Sequence, residues 1–154
     1  MNPQKLVSYN PATGEIIGNV PVTPLSEISQ VVASSQAACI EWGKSSHAKR
    51  KEVLLPFGER LHEKQDELAA LLTAEMGKPL ADAYGEIKRA SKPYSSYLDE
   101  IEAALSLEVI EDGYTHSELS YVPYGVCVAI SPWNFPLYMP HWMVMPALMA
   151  GNTV

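Results

Sequence analysis

The residues best suited to chemistry lie in one short stretch, positions 131–136, where Trp133, Asn134 and Phe135 stand between two prolines. Proline restricts the backbone and lacks an N–H donor, so this stretch predicts a sharp, fixed turn. A side-chain amide held in such a turn can direct its NH2 group at developing negative charge, as in an oxyanion hole. The other interpretation is that Asn134 only forms the turn, by bonding to nearby backbone. Taken alone, the residue types favour this second interpretation.

A strand before the turn and a helix after it are expected to position these residues. Residues 126–130 are uncharged and small or apolar, which predicts a strand buried on both faces. Pro136 is expected at the first position of the helix, and Gly151-Asn152 is typical of a helix end. Asn134 should therefore lie at the carboxyl end of a strand, where open α/β sheets bind ligands.

The preceding residues predict a hairpin and then a run of helices. Asn, Pro and Gly between short apolar pieces predict a β-hairpin over residues 6–21. Apolar residues at helical spacing predict four helices over 24–106, with kinks at Pro56 and Pro93. A turn and a partly exposed strand over residues 114–122 should follow.

Composition excludes several classes of function. The net charge is −7, from 11 Lys and Arg against 18 Asp and Glu, so no nucleic-acid surface or anionic-membrane patch is expected. The apolar run 126–150 is interrupted by four prolines, so it predicts no membrane span. Two cysteines are too few for a disulfide scaffold, which favours the cytoplasm. The histidines lack metal-ligand spacing, so no metal site is predicted, and His141 is expected on a helix surface.

Several motifs together resemble the aldehyde dehydrogenase superfamily. They lie at 10–15, 75–79, 85–87, 123–126, 130–136, 146–148 and 151–154. The resemblance covers nearly the whole chain and corresponds to about the first third of a family member. It implies an α/β fold of the aldehyde dehydrogenase type, amino-terminal part only.

The domain organisation that the resemblance implies is a partial cofactor-binding domain over residues 1–154, without the catalytic domain. Its parts are a hairpin (1–22), a helical part (23–106), a strand region of the oligomerisation type (107–125) and the first β-α unit of a Rossmann-like sheet (126–154).

The activity that the resemblance implies is NAD- or NADP-dependent oxidation of a small-molecule aldehyde to a carboxylic acid. A cysteine attacks the aldehyde, a hydride passes to the nicotinamide, and the thioester is hydrolysed. The similarity is greatest to semialdehyde-oxidising members, and a homo-oligomer is implied for the complete enzyme. The residues do not define which aldehyde is oxidised or which of the two cofactors is preferred.

The resemblance also implies roles for residues around the turn. Asn134 is the expected catalytic residue, as the oxyanion donor. The expected cofactor contacts are Ile130, Ser131, Pro132 and Trp133. The expected lining of the aldehyde tunnel is Phe135, Met139 and Trp142, although an aromatic and methionine stripe is more often plain core.

Neither cysteine matches the family's nucleophile motif, and the motif of its general-base glutamate is absent. Cys39 and Cys127 are therefore expected in the core. The 154 residues alone are expected to be inactive. The alternative is a non-catalytic truncated product that acts as an interaction module.

Overall fold

The computed structural model describes residues 4–91 and 93–154. Six helices occupy the middle of the chain. One short antiparallel hairpin precedes them, and another follows them. The elements in chain order are β1 (Lys5–Tyr9), β2 (Ile16–Pro21), α1 (Leu25–Lys44), α2 (His47–Leu54), α3 (Pro56–Glu63), α4 (Gln65–Met76), α5 (Leu80–Ser91), α6 (Tyr94–Ala104), β3 (Glu108–Glu111), β4 (His116–Leu119) and α7 (Tyr138–Met149).

The amino-terminal hairpin agrees with the sequence prediction. Strands β1 and β2 pair antiparallel, with Leu6 opposite Val20. In the turn, the side-chain oxygen of Asn10 accepts hydrogen bonds from the amides of Ala12 and Thr13. An asparagine that bonds to backbone two and three residues ahead is the expected chemistry of such a turn.

The helical part differs from the prediction in that two of the four predicted helices are each divided in two. Pro56 separates α2 from α3, and Pro93 separates α5 from α6. Because proline donates no hydrogen bond to the preceding turn, the predicted kinks become breaks. Ser46 caps the start of α2, since its hydroxyl accepts from the Lys49 amide at 3.2 Å. Gly77 ends α4 with φ of 71°.

Two apolar clusters form the core. Ala69 and Leu72 of α4 pack with Ala83 and Ile87 of α5. Between α6 and α7, Tyr94 and Leu98 pack with Met145 and Met149. No residue of α1 is fully buried, so the apolar face predicted for that helix contributes little to the core.

The second hairpin lies where a single strand was predicted over residues 114–122. Strand β4 occupies only its centre and pairs antiparallel with β3. The turn between them is formed by Asp112, whose carboxylate accepts from the amides of Tyr114 at 2.9 Å and Thr115 at 2.8 Å. Both strands are exposed along their whole length.

Residues 126–130 do not form the buried strand that was predicted. Val126 makes one isolated parallel bridge to Thr153, and Val128 and Ile130 are 79% and 84% exposed. A strand buried on both faces needs hydrogen-bonded neighbours on both edges and helices over both faces. The described ranges supply only the bridge to Thr153, so the segment stays extended and open.

The last helix begins two residues later than predicted. Pro136 lies in the turn, and α7 starts at Tyr138. Pro140 is then the third helical residue, where no intrahelical N–H is required, so a proline fits in this first turn. In the ranges described, no helix is both long and apolar enough to cross a membrane.

The end of α7 has the predicted glycine cap. Gly151 has φ of 92°, its amide donates to the Leu148 carbonyl, and the Asn152 amide donates to the Ala147 carbonyl, both at 3.0 Å. These two bonds are the Schellman pattern, in which a left-handed residue follows the helix.

Candidate functional site

A cavity of about 430 Å³ lies where the turn before α7 meets α4 and α5. Trp133, Asn134 and Phe135 line it from the turn. The charged residues on the facing side are Asp82 and Arg89 of α5 and Lys78, which follows α4. Three consecutive residues of the predicted site therefore line one cavity.

The turn is held by a buried carboxylate. Glu86 is 1% exposed, and its Oε1 accepts from the amides of Leu137 and Tyr138, both at 2.9 Å. Its Oε2 is paired with the ammonium of Lys78. A buried charge requires such partners, because each unpaired charge costs several kcal/mol.

Lys78 also contacts the residue that carries the predicted chemistry. Its Nζ donates to the backbone carbonyl of Asn134 at 3.1 Å and lies 4.8 Å from the centroid of the Phe135 ring. The lysine side chain is 13% exposed. An ammonium over an aromatic face is attractive, so Phe135 is held by the same cation.

The side chain of Asn134 is exposed at the cavity. Among residues 4–91 and 93–154, its amide has no hydrogen-bond partner. Asn152, by contrast, accepts from the Gly125 amide and donates to the Ala147 carbonyl. The turn at Asn134 is thus formed without its side chain, which leaves the NH2 group available to a ligand.

The four predicted cofactor contacts lie in an open stretch that leads into the turn, outside regular secondary structure. Ile130 and Trp133 are 84% and 81% exposed, Pro132 is exposed, and Ser131 is half-buried. Trp133 also lines the cavity beside Asn134. The apolar side chains and accessible backbone of this stretch suit contact with a flat ring.

The three predicted tunnel residues are spread along the beginning of α7. Phe135 lines the cavity with Asn134, and Met139 is half-buried. Trp142 lines a second cavity of about 200 Å³ between α5, α6 and α7. Its ring stacks on Tyr138, with centroids 6.2 Å apart. Arg89 lines both cavities and so lies between them.

His141 is buried, which contradicts the prediction that it lies on a helix surface. Its ring stacks on Phe57 with centroids 5.8 Å apart, and its Nε2 lies 3.3 Å from the hydroxyl of Tyr94. Burial lowers the pKa of His141 to about 4 and raises the pKa of Tyr97 to about 12. The imidazole is therefore neutral at pH 7.

Sequence reasoning missed Glu86 and Arg89 as parts of the site. Glu86 falls on the apolar stripe of α5, between the buried residues Ala83 and Ile87. A charged residue on such an apolar stripe signals that partners elsewhere in the fold bind it, because a carboxylate is rarely buried without partners. Arg89 carries no comparable signal, since an exposed arginine on a helix is ordinary.

The cysteines lie away from this cavity. Both are half-buried and free, so they are less enclosed than the core position predicted for them. The Cys39 thiol lies 3.7 Å from the Gly151 carbonyl. Within the described part of the chain, no cluster of three His, Cys, Asp or Glu side chains is placed to hold a metal ion.

Comparisons with known proteins all point to one family. The family model described as "Aldehyde dehydrogenase family" matches residues 1–154. The acylating mitochondrial methylmalonate-semialdehyde/malonate-semialdehyde dehydrogenase of Homo sapiens is 37% identical over 153 residues, which cover 94% of this chain and 27% of that protein.

Solved structures agree. Succinate-semialdehyde dehydrogenase from Burkholderia pseudomallei has a TM-score of 0.85 at 34% identity, covering 96% of this chain and 31% of that one. NADP-dependent glyceraldehyde-3-phosphate dehydrogenase from Bacillus halodurans, complexed with NADP, has a TM-score of 0.86 at 26% identity, covering 98% and 33%. The chain thus spans about a third or less of each relative's length.

Proposed function

The chain belongs to the aldehyde dehydrogenase family, and we propose that it forms the amino-terminal part of an NAD(P)-dependent enzyme that oxidises an aldehyde to a carboxylic acid. The observation that carries the proposal is the side-chain amide of Asn134, which is exposed at the cavity without a partner among the described residues. Asn134 donates a hydrogen bond to the oxyanion that forms when a nucleophile adds to the aldehyde.

The remaining predicted residues bind and orient. The exposed stretch Ile130–Trp133 fits the nicotinamide end of NAD or NADP, because it offers apolar side chains and a backbone outside any regular strand. The cofactor, when bound, accepts a hydride from the substrate. Phe135, Met139 and Trp142 guide the aldehyde along the two neighbouring cavities.

The substrate class we propose is an aldehyde that carries a carboxylate. Two of the relatives described above are named as semialdehyde dehydrogenases. Arg89 is exposed in both cavities, and a guanidinium binds a carboxylate with two parallel hydrogen bonds. Each cavity also has one acidic lining residue, Asp82 in the larger and Glu100 in the smaller, so the substrate carboxylate is expected at the Arg89 guanidinium itself.

The catalytic role is tested with Asn134→Ala in the longer protein that includes residues 1–154. Loss of one oxyanion donor should lower kcat by roughly 10²–10³ and leave folding intact. Asn19→Ala, at an exposed asparagine of β2, is the matched control. An unchanged kcat at saturating cofactor would return Asn134 to the turn-forming role.

The substrate class is tested with Arg89→Gln, with the exposed neighbour Lys88→Gln as the control. A lost charged hydrogen bond costs about 1.5–3 kcal/mol, so kcat/KM for succinate semialdehyde should fall about 10- to 100-fold. The value for butanal, which lacks the carboxylate, should stay the same. Equal losses for both aldehydes would contradict the proposal.

Residues 1–154 alone are proposed to be inactive, because an oxyanion donor does not replace a covalent nucleophile. The rival proposal is a non-catalytic product that binds a partner. The mass of the natural product separates the two. The cytoplasmic location stays a prediction, and the human relative is named as mitochondrial.

A further inference from the structure

The ion pair between Lys78 and Glu86 bonds to the turn that carries Asn134 at two points, the carbonyl of Asn134 itself and the amides of Leu137 and Tyr138 that follow it. We propose that this pair is a positioning device, which fixes the peptide of Asn134 so that its side-chain amide stays directed at the reacting oxygen. The proposal rests on the proposed function, because it gives the pair its purpose through Asn134.

Glu86 fixes the carboxyl side of the turn. Its single Oε1 accepts from two consecutive amides, those of Leu137 and Tyr138. These amides open α7 and have no carbonyl within that helix to donate to, and a negative charge there also faces the positive end of the helix dipole. The start of α7 is thereby attached to the middle of α5.

Lys78 fixes Asn134 itself. Its ammonium donates to the Asn134 carbonyl at 3.1 Å while it is paired with Glu86. The lysine directly follows Gly77, the left-handed residue that ends α4. The peptide of Asn134 is therefore tied to the end of one helix and, through Glu86, to the buried face of another.

A purely structural role explains this arrangement less well. A buried ion pair is a weak source of stability, because desolvation offsets much of the attraction, and apolar residues of similar volume often fold as stably. What apolar residues cannot supply is a directed bond to residue 134 and to the two amides beyond it. A donor displaced by about 1 Å can lose up to about 100-fold in rate.

The decisive variant is Lys78→Met with Glu86→Leu, which replaces the ion pair with an apolar pair. We expect the melting temperature to fall only modestly, because the amides of Leu137 and Tyr138 lose their acceptor while the apolar packing is kept, whereas kcat in the longer protein falls about 10- to 100-fold and KM for the cofactor changes less than about twofold. The control is Glu67→Gln, which breaks the exposed pair Lys64–Glu67 and should change neither value. A parent-like kcat would overturn the proposal.

The same apolar pair in an Asn134→Ala background tests whether the effect passes through Asn134. If the effect does pass through Asn134, the apolar pair should lower kcat no further in this background, because the effects of substitutions within one functional unit do not add. A full additional loss would overturn the positioning role.

Hydrogen exchange in residues 1–154 alone separates failure of this inference from failure of the proposed function. The amides of Leu137 and Tyr138 should exchange at least tenfold faster in the apolar-pair variant, and those of the α4–α5 core should not change. Unchanged exchange at Leu137 and Tyr138 would refute the positioning role of the ion pair. An active Asn134→Ala enzyme together with faster exchange would refute only the function.

Discussion

Three asparagines of this chain show how the same side chain serves different ends. Asn10 bonds to the amides that follow it, and Asn152 joins the end of α7 to the Gly125 amide of an earlier segment. The side chain of Asn134 makes neither kind of bond within the described ranges, and the carbonyl of its own peptide is held by Lys78 instead. A side chain freed from turn formation by other residues is the condition that an oxyanion donor must meet.

His141 leads to a prediction about pH at the same scale. Its pKa is about 4 in the folded chain, lowered by burial, and near 6.5 when unfolded. Between these values the unfolded state binds more protons, so acid favours unfolding. The stability that the neutral, buried His141 contributes is fully present above pH 6.5, is lost as the pH falls toward 4, and changes no further below pH 4. Between pH 7 and pH 5 the free energy of unfolding should fall by about 2 kcal/mol from this group.

Urea titrations at the two pH values measure that loss. His141→Phe keeps an aromatic ring among Phe57 and Tyr94 but removes the titrating group. Between pH 7 and pH 5 its free energy of unfolding should therefore fall by about 2 kcal/mol less than that of the parent. His62→Gln, at an exposed histidine, should behave as the parent does. The same pH dependence in His141→Phe and the parent would show that His141 is not the cause.

At the scale of elements, the features that sequence predicted correctly are those decided by a few adjacent residues. The hairpin turn at Asn10 and the cap at Gly151 each follow from local backbone chemistry, and so do the positions, though not the full extent, of the interruptions at Pro56 and Pro93. The resemblance to the aldehyde dehydrogenase superfamily is likewise confirmed, since the family model matches the whole chain.

The features that sequence predicted poorly depend on partners distant in the chain. Residues 126–130 have the composition of a buried strand, but a strand forms only where neighbours supply its hydrogen bonds. His141 seemed exposed because its enclosure comes from Phe57 and Tyr94, on other helices. The role of Glu86 likewise needs Leu137, about fifty positions later.

Two helical glycines give a matched prediction about packing. A Cβ on Gly58 of α3 would lie 2.4 Å from Cγ and 2.5 Å from Cβ of Tyr94, whereas a Cβ on Gly85 of α5 meets nothing within 4 Å. Gly58→Ala must therefore push α3 away from α6 and should lower the free energy of unfolding by about 1–3 kcal/mol. Gly85→Ala should raise it by about 0.4–1 kcal/mol, because alanine loses less backbone entropy in a helix.

Thermal unfolding of both variants beside the parent provides the measurement. The two substitutions add the same methyl group, so a general effect of alanine on helices would move both melting temperatures upward. Equal stability of Gly58→Ala and the parent would mean that α3 and α6 are not packed as closely as the structure has them.

At the scale of the whole molecule, the chain has a well-packed centre and an open side. Arg50 joins the ends of two helices, donating to the Met149 carbonyl at 2.8 Å and to the Gly43 carbonyl at 2.9 Å. On the open side, Tyr124, Val128 and Ile130 are almost fully exposed. A large exposed apolar area beside unpaired backbone favours association.

We therefore predict that purified residues 1–154 self-associate through the segment after Tyr114, while the helical part over 24–106 stays the most protected. Sedimentation should show dimers or larger species whose fraction rises with concentration. The double substitution Val128→Lys with Ile130→Lys should raise the monomer fraction, because charge on an open strand edge prevents pairing. Leu25→Lys, at an equally exposed apolar residue of α1, should leave it unchanged. A monodisperse monomer whose amides from Val126 to Val154 are strongly protected would show that the chain completes this surface by itself.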